Sequence, residues 1–217
     1  MIYDIEEQDS IEALKASWQR YGKPLTYLLI AILIGVCASN GWQYWQRKQA
    51  TEAAVLYDQI EKFQSTGTPD ATKILRVAND IQNKFSATMY AQLSALLAAK
   101  AAFDAHDNNT AKAQLTWALK HGISKELQQV AQLRLSTVLL SEKKYDEALA
   151  LLKNTTLPSF TATYAEQRGD ILFAQQKITE ARAAYKEALE KINNSHNENQ
   201  RRLLNLKLDM VGDTNPL

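Results

Sequence analysis

The feature that most constrains this chain is an uncharged, largely aliphatic run between Lys23 and Arg47. At 1.5 Å of rise per helical residue, about 20 residues cross a hydrocarbon core of roughly 30 Å. The run therefore predicts a single transmembrane helix over residues 24–46. Aromatic side chains, which favour the membrane interface, stand near both of its ends: Trp18, Tyr21, Tyr27, Trp42, Tyr44 and Trp45.

A cleaved signal peptide and the buried helix of a soluble core are the alternatives to a transmembrane helix. A signal peptide begins with a basic segment, whereas residues 1–23 carry five acidic side chains. A buried helix would leave the aromatic belts and the flanking basic residues unexplained. We expect residues 1–23 to form a short amphipathic segment at the membrane surface. Basic residues flank the run on both sides, so charge counting leans only slightly toward a cytoplasmic N-terminus.

Small residues recur at intervals of four along the predicted membrane helix, at Ala31, Gly35 and Ser39. A stripe of this kind lets a second helix approach closely, and Asn40 could add an interhelical hydrogen bond. The pattern predicts a packing face for a partner helix. Small residues are also common in membrane helices without such a partner, and that interpretation stays open.

Glycine and proline are scarce in the chain, with 7 Gly and 4 Pro among 217 residues, about 5% against roughly 12% in ordinary proteins. Sandwiches, barrels and glycine-rich nucleotide folds need more of both, so we predict an all-α protein. We expect a helical extension or linker over residues 47–70, a repeat domain over 71–210 and a tail over 211–217. A net charge of +1 argues against nucleic-acid binding, and a single Cys excludes an intrachain disulfide.

Short turns separate amphipathic helices throughout the second part of the chain, and a repeat emerges when they are aligned. Three alanines, Ala113, Ala148 and Ala181, lie 35 and 33 residues apart, which brackets the 34-residue tetratricopeptide period. The pattern predicts an α-solenoid of tetratricopeptide-like helical hairpins. Small residues would allow close helix contact, with Gly169 against Ala181, and large ones would fill the gap to the next hairpin. The predicted packing residues are Ala113, Trp117, Ser136, Ala148, Leu152, Gly169, Ala181, Tyr185 and Ala188.

A solenoid of hairpins exposes a concave face built from the first helix of each pair. The repeat alignment places a mixed apolar and acidic groove on that face, suited to an extended peptide or a partner helix. The candidate groove residues are Leu133, Thr137 and Leu140 from one repeat and Glu166, Asp170 and Phe173 from the next.

Catalytic and metal-binding motifs are missing from the sequence. The three histidines are scattered, and neither a nucleophile elbow nor a phosphate-binding glycine loop occurs. We therefore predict that the protein is not an enzyme and has no catalytic residue, no metal site and no cofactor.

The order of these parts resembles the YfgM family, the ancillary subunits of the bacterial SecYEG translocon. The resemblance is carried by Trp18-Gln-Arg-Tyr-Gly-Lys23, by Gly41-Trp-Gln-Tyr-Trp45 at the end of the apolar run, and by Leu133-Arg-Leu135 and Arg168-Gly169-Asp170 in successive repeats. It covers essentially the whole chain, although each motif is short.

This resemblance implies a single-pass inner-membrane protein with a cytoplasmic N-terminus and a periplasmic repeat domain. The implied partners are the SecYEG translocon, a membrane-anchored periplasmic chaperone of the prolyl-isomerase type, and newly exported polypeptide. Two alternatives remain: a repeat scaffold for envelope assembly, such as cell-wall or pilus machinery, and a membrane-tethered enzyme.

Overall fold

The computed structural model describes residues 3–65, 70–153, 157–192 and 198–212. Within these ranges the regular secondary structure is helical, as the scarcity of glycine and proline predicts. The helices are α1 Tyr3–Ser65, α2 Ala71–Lys84, α3 Met89–Asp104, α4 Asn108–His121, α5 Lys125–Ser141, α6 Tyr145–Leu151, α7 Thr161–Ala174, α8 Ile178–Lys191 and α9 Glu198–Met210, with a short 3-10 turn at Pro158–Phe160 before α7.

The chain divides into two units, Met1–Gln49 and Ala50–Leu217. In the first unit, α1 runs without interruption through Pro24, so the N-terminal segment and the apolar run lie on one continuous helix. Proline removes one backbone hydrogen bond, which does not end the helix here. Within the described part of the chain, Thr26–Ser65 is the one stretch long and apolar enough to cross a bilayer. Its large apolar side chains from Tyr27 to Val36 are exposed.

Side-chain caps explain where four helices of the second unit begin. Each cap residue accepts a hydrogen bond from the backbone N–H three residues further on, which satisfies one of the free donors of a helix N-terminus. The capping oxygens belong to Asp70, Thr88, Asp107 and Ser124, at 3.1, 3.3, 3.0 and 3.2 Å from their donors.

The core of the second unit consists of three apolar clusters that follow one another along the chain. The first cluster joins the end of α1 to α2 and α3, with Ala53 and Ile60 fully buried. Part of the predicted helical extension over residues 47–70 therefore belongs to this core cluster. The middle cluster joins α3 to α7 and includes Leu115, Leu135 and Tyr164. The last cluster joins α7, α8 and α9 around Ala165, Tyr185 and Leu204.

Three helical hairpins share one turn geometry, which defines the repeat. Each turn carries a residue with positive φ, at His106, Lys143 and Gln176 (62°, 60° and 63°). The next residue donates its N–H to a carbonyl five residues back, the bond of the Schellman motif that ends helices. These bonds are Asp107 to Ala102, Lys144 to Leu139 and Lys177 to Leu172, at 2.8, 2.9 and 3.0 Å. The hairpins α3–α4, α5–α6 and α7–α8 thus share one turn geometry, although α6 has 7 residues where α4 and α8 each have 14.

Candidate interaction surface

The turn geometry fixes the register of the repeat and corrects the sequence alignment in the first hairpin. Asp107, Lys144 and Lys177 occupy the same position at the end of each turn. The residue four positions after each of them donates its N–H to that residue's carbonyl oxygen, and these donors are Ala111, Ala148 and Ala181. Ala113 is exposed, whereas Ala111 is fully buried. The spacings are therefore 37 and 33 residues, and the assignment of Ala113 to repeat packing is wrong.

The corrected register also reassigns the large residue of the first repeat. Four positions after Ala111 stands Leu115, which is 1% exposed, equivalent to Leu152 and Tyr185 in the later hairpins. Trp117 is half-buried, stacks on the His121 ring at 4.9 Å and packs against two clusters. Twelve positions before each alanine stands a small buried residue. These positions are held by Ala99, Ser136 and Gly169, and Ala118 and Ala188 occupy matching sites seven residues after the alanine.

Gly169 packs against the aromatic ring of Tyr185. A Cβ atom built at Gly169 would overlap the Cδ1 and Cε1 atoms of Tyr185. The ring is held in place because it is 2% exposed and its hydroxyl donates to Asp170 Oδ1 at 2.9 Å. A glycine is needed here so that α7 and α8 can approach with the ring between them.

The first helices of the hairpins, α3, α5 and α7, lie side by side, and a groove of about 290 Å³ opens between α3 and α5. Its apolar lining comes from Ala99, Phe103, Leu115 and Val138, and its polar lining from Lys100, Asp104, Arg134 and Thr137. Such a groove can take an apolar side chain of a peptide while its rim bonds to the peptide backbone or to charged neighbours.

The rim of this groove is held by hydrogen bonds between neighbouring helices. Arg134 Nη1 donates to the Leu96 carbonyl at 3.2 Å, which ties α5 to α3. Gln167 Nε2 donates to Thr137 Oγ1 at 3.2 Å, which ties α7 to α5. Lys100 Nζ lies 2.5 Å from Asp104 Oδ2, one helical turn away on α3. Both ends of that pair are more than half exposed, so its contribution to stability is small.

Three of the six predicted groove residues line two different cavities in the part of the chain that the structure describes. Of these six, Thr137 is the one that lines the α3–α5 groove, while Leu133 and Leu140 are half-buried against the middle cluster. Asp170 and Phe173 line a separate cavity of about 130 Å³ together with Tyr185, Lys207, Met210 and Val211.

Glu166 and Asp170 are engaged by a lysine of the chain itself. Lys207 Nζ on α9 lies 2.8 Å from Glu166 Oε1 and 2.8 Å from Asp170 Oδ1. Burial alone would lower the pKa of Lys207, but the hydrogen bonds to Asp170 and Glu166 and the negative charges of these two carboxylates together outweigh it and raise that pKa. Burial, followed by the charge of Asp170, also raises the pKa of the Tyr185 phenol. Glu166 and Asp170 therefore hold α9 on the last hairpin.

Buried amides position the helices, and the sequence analysis missed them. Gln92 on α3 is 1% exposed, and its amide bonds to the Ala118 and Ser124 carbonyls and to the Ser124 N–H at 3.1–3.3 Å. It thereby fixes the turn between α4 and α5. Gln82 donates to Gln114 at 2.6 Å across α2 and α4. Glutamine is usually a surface residue, so no simple sequence signal identifies these positions.

In the first unit, the candidate packing residues Ala31, Gly35, Ser39 and Asn40 are all exposed along α1. A Cβ atom built at Gly35 would meet no atom within 4 Å in the part of the chain that the structure describes. Trp42 and Trp45, at the end of the apolar run, place their ring centroids 5.3 Å apart.

Three hairpins with one turn geometry, followed by a further helix, define a tetratricopeptide-like repeat protein. A family model described as "Tetratricopeptide repeat-like domain" matches residues 15–213. Three relatives are named "Ancillary SecYEG translocon subunit". The Neisseria gonorrhoeae protein is 33% identical over 97% of this chain and 100% of its own length. The Haemophilus influenzae protein is 32% identical (87% and 91%) and the Escherichia coli protein 30% identical (85% and 87%). The chain belongs to this family, the YfgM family of ancillary SecYEG translocon subunits.

Proposed function

We propose that this chain is a membrane-anchored, non-enzymatic scaffold that works beside the SecYEG translocon. The relatives that match along nearly its whole length are named as subunits of that translocon. The observation that carries the binding role is the α3–α5 groove, with its apolar lining and its polar rim. A groove of this kind suits the recognition of a polypeptide.

The membrane anchor in this proposal is the stretch 24–46 of α1, which crosses the bacterial inner membrane once. Its apolar side chains are exposed. Contact of so much apolar surface with water is unfavourable, and a lipid bilayer removes that contact. The N-terminus would be cytoplasmic and the repeat domain periplasmic.

Single cysteines in a Cys37→Ser background test this orientation. Lys15→Cys and Lys120→Cys place exposed thiols on the two sides of the anchor. A membrane-impermeant thiol reagent should label Lys120→Cys in spheroplasts and Lys15→Cys in inverted vesicles. The opposite pattern would reverse the topology, and labelling of both thiols in intact spheroplasts would exclude the span.

The stripe of Ala31, Gly35 and Ser39 is the proposed site for lateral docking on a translocon helix, with Asn40 nearby. A photo-crosslinking amino acid at Gly35 should capture a translocon subunit. The matched control stands at Leu33, about 160° away around the helix, where we expect lipid. Capture of lipid alone at both positions would refute lateral docking.

The repeat domain would bind a membrane-anchored periplasmic chaperone of the prolyl-isomerase type, or newly exported polypeptide, through the α3–α5 groove. Thr137 is exposed on the rim, so Thr137→Trp should fill the groove without disturbing the core. Lys120→Trp, exposed on α4, is the matched control.

Affinity purification of the full chain from mild detergent gives the readout. The unmodified chain and Lys120→Trp should recover translocon subunits together with the chaperone or polypeptide. Thr137→Trp should lose the chaperone or polypeptide and keep the translocon. Unchanged recovery with Thr137→Trp would exclude the groove, and recovery of cell-wall enzymes in place of translocon subunits would favour a scaffold for envelope assembly.

A further inference from the structure

The last helix, α9, has an outer surface that is unusual for the end of a solenoid. Its inner side is anchored in the last cluster by Leu204, which is fully buried. The opposite side carries Leu203, Leu206 and Met210, with 47%, 56% and 69% of each residue exposed. Terminal elements of repeat proteins normally present a polar outer face, because no further repeat covers them. A row of three large apolar side chains departs from that rule.

The spacing of this row is the spacing of a helix-pairing seam. Leu203, Leu206 and Met210 are separated by intervals of three and four, which place them along one stripe of an α-helix. Two charged, exposed residues lie along one edge of the stripe: Arg202 near the start of α9 and Asp209 near its end. They are seven residues apart, about 10 Å along the helix axis.

We propose that this outer face of α9 binds the same face of a second copy of the chain, with the two helices antiparallel. In a two-fold symmetric contact, each residue meets the residue at the mirrored position along the partner helix. With the axis at Leu206, Leu206 meets its own copy. Leu203 and Met210 are mirrored about a point half a residue beyond Leu206, and Arg202 and Asp209 about a point half a residue before it. Each pair therefore lies within about 1.5 Å of facing directly across the contact, and each occurs twice.

The charges of Arg202 and Asp209 favour the antiparallel arrangement and favour a second copy of the chain as the binding partner. A parallel pair would oppose Arg202 to Arg202 and Asp209 to Asp209, which is unfavourable on both counts. The antiparallel pair opposes unlike charges at both ends while the apolar row meets itself in the middle. The apolar and the charged pairs call for the same axis to within one residue, so the face is complementary to itself.

The contact is small. A helix of 13 residues is about 20 Å long, so it buries much less than the roughly 800 Å² per partner of a standard interface. The contact therefore depends on a high local concentration of chains. Anchoring in one membrane, as proposed above, provides this, so the test uses full chains in lipid vesicles.

The experiment places one cysteine on the axis, Leu206→Cys in the Cys37→Ser background, and oxidises the vesicles with copper phenanthroline. We expect a disulfide-linked dimer with at least five times the yield of the matched control Lys186→Cys, which is exposed on α8. A yield no higher than that of the control would overturn the proposal. So would a photo-crosslinker at position 206 that captures a different protein and no second copy.

Charge reversal then tests the pairing itself. Added to Leu206→Cys, Arg202→Glu or Asp209→Arg alone should lower the dimer yield severalfold, because each opposes like charges. The double variant Arg202→Glu/Asp209→Arg should restore it. Failure of the double variant to restore the yield would refute the antiparallel register. All these side chains are exposed, so circular dichroism should show an unchanged helix content. Because none of them lines the groove, a negative result here leaves the groove proposal standing.

Discussion

The close approach of α7 and α8 at Gly169 leads to a sharp prediction about the coupling of two residues. In Gly169→Ala, the added Cβ overlaps the Tyr185 ring. The ring cannot move easily, since it is 2% exposed and bonded to Asp170. Overpacking of this kind costs about 1–3 kcal/mol, and we take the upper value, because the ring is not the free end of a flexible side chain.

The better helix propensity of alanine returns about 1 kcal/mol, so the net loss of unfolding free energy should be about 2 kcal/mol. The previous repeat suggests a rescue: it has Ser136 and Leu152 at the positions of Gly169 and Tyr185. Tyr185→Leu alone should cost about 2–3 kcal/mol, from the lost hydrogen bond and the space left by the ring. In the double variant Gly169→Ala/Tyr185→Leu the overlap disappears, and the loss should fall to about 1–2 kcal/mol.

The assay is urea unfolding of the full chain in mild detergent, followed by far-UV circular dichroism. The two single variants should sum to about 4–5 kcal/mol, so the coupling energy should be about 3 kcal/mol. If Gly169→Ala is instead as stable as the parent chain or more stable, the ring does not pack against Gly169. If the double variant loses the full sum, the two sites act independently and the packing argument fails.

Three further predictions concern the turns, the last helix and one buried tyrosine. Lys143→Gly and Gln176→Gly should each raise the unfolding free energy by about 0.5–1 kcal/mol, since glycine adopts positive φ without strain. The control Lys186→Gly, inside α8, should lower the unfolding free energy by about 1 kcal/mol in the same urea unfolding assay. Lys207→Met leaves Glu166 and Asp170 without their counter-charge and should lower the unfolding free energy by about 1–3 kcal/mol at pH 7. The control Lys191→Met, at an exposed position, should change the unfolding free energy little. An equal effect of both substitutions would argue against a stabilising role of the ion cluster. Burial raises the pKa of Tyr164 to about 12, so the folded state favours the neutral phenol, and its contribution is full below pH 10 and declines as the pH rises toward 12. Tyr164→Phe should therefore make the alkaline decline in stability shallower, as measured by unfolding at a series of pH values, and an unchanged slope would contradict this.

The fold was largely readable from the sequence because helix signals are local. The apolar run predicts the long exposed stretch of α1, and small residues at fixed spacing predict the hairpins α5–α6 and α7–α8. The first hairpin was misaligned by two residues because Ala111 and Ala113 both stand in a helical pattern. The N-cap supplies the missing signal: the packed alanine follows Asp107, Lys144 and Lys177 by four residues in every hairpin.

The candidate groove was less readable, because its composition depends on contacts between distant parts of the chain. Glu166 and Asp170 look like open acidic positions until Lys207, 41 and 37 residues further on, is brought to them. The residues that line the groove between α3 and α5 likewise follow from the register of the repeat, and that register is set by the turns between the helices. With Ala111 aligned, Ala99 takes the small-residue position and Phe103 follows one helical turn later on the groove side.

The order of the three core clusters has a consequence for how the second unit acquires its structure. The buried residues of the first cluster are all present once residue 101 is available, those of the middle cluster at residue 171 and those of the last cluster at residue 211. A chain delivered from its N-terminal end can therefore bury each cluster while the following hairpin is still being made or threaded through a pore. Contacts between neighbours in sequence also form quickly, so little apolar surface stays exposed at any stage. A protein built in this way can bury its first two clusters before its last helix is available.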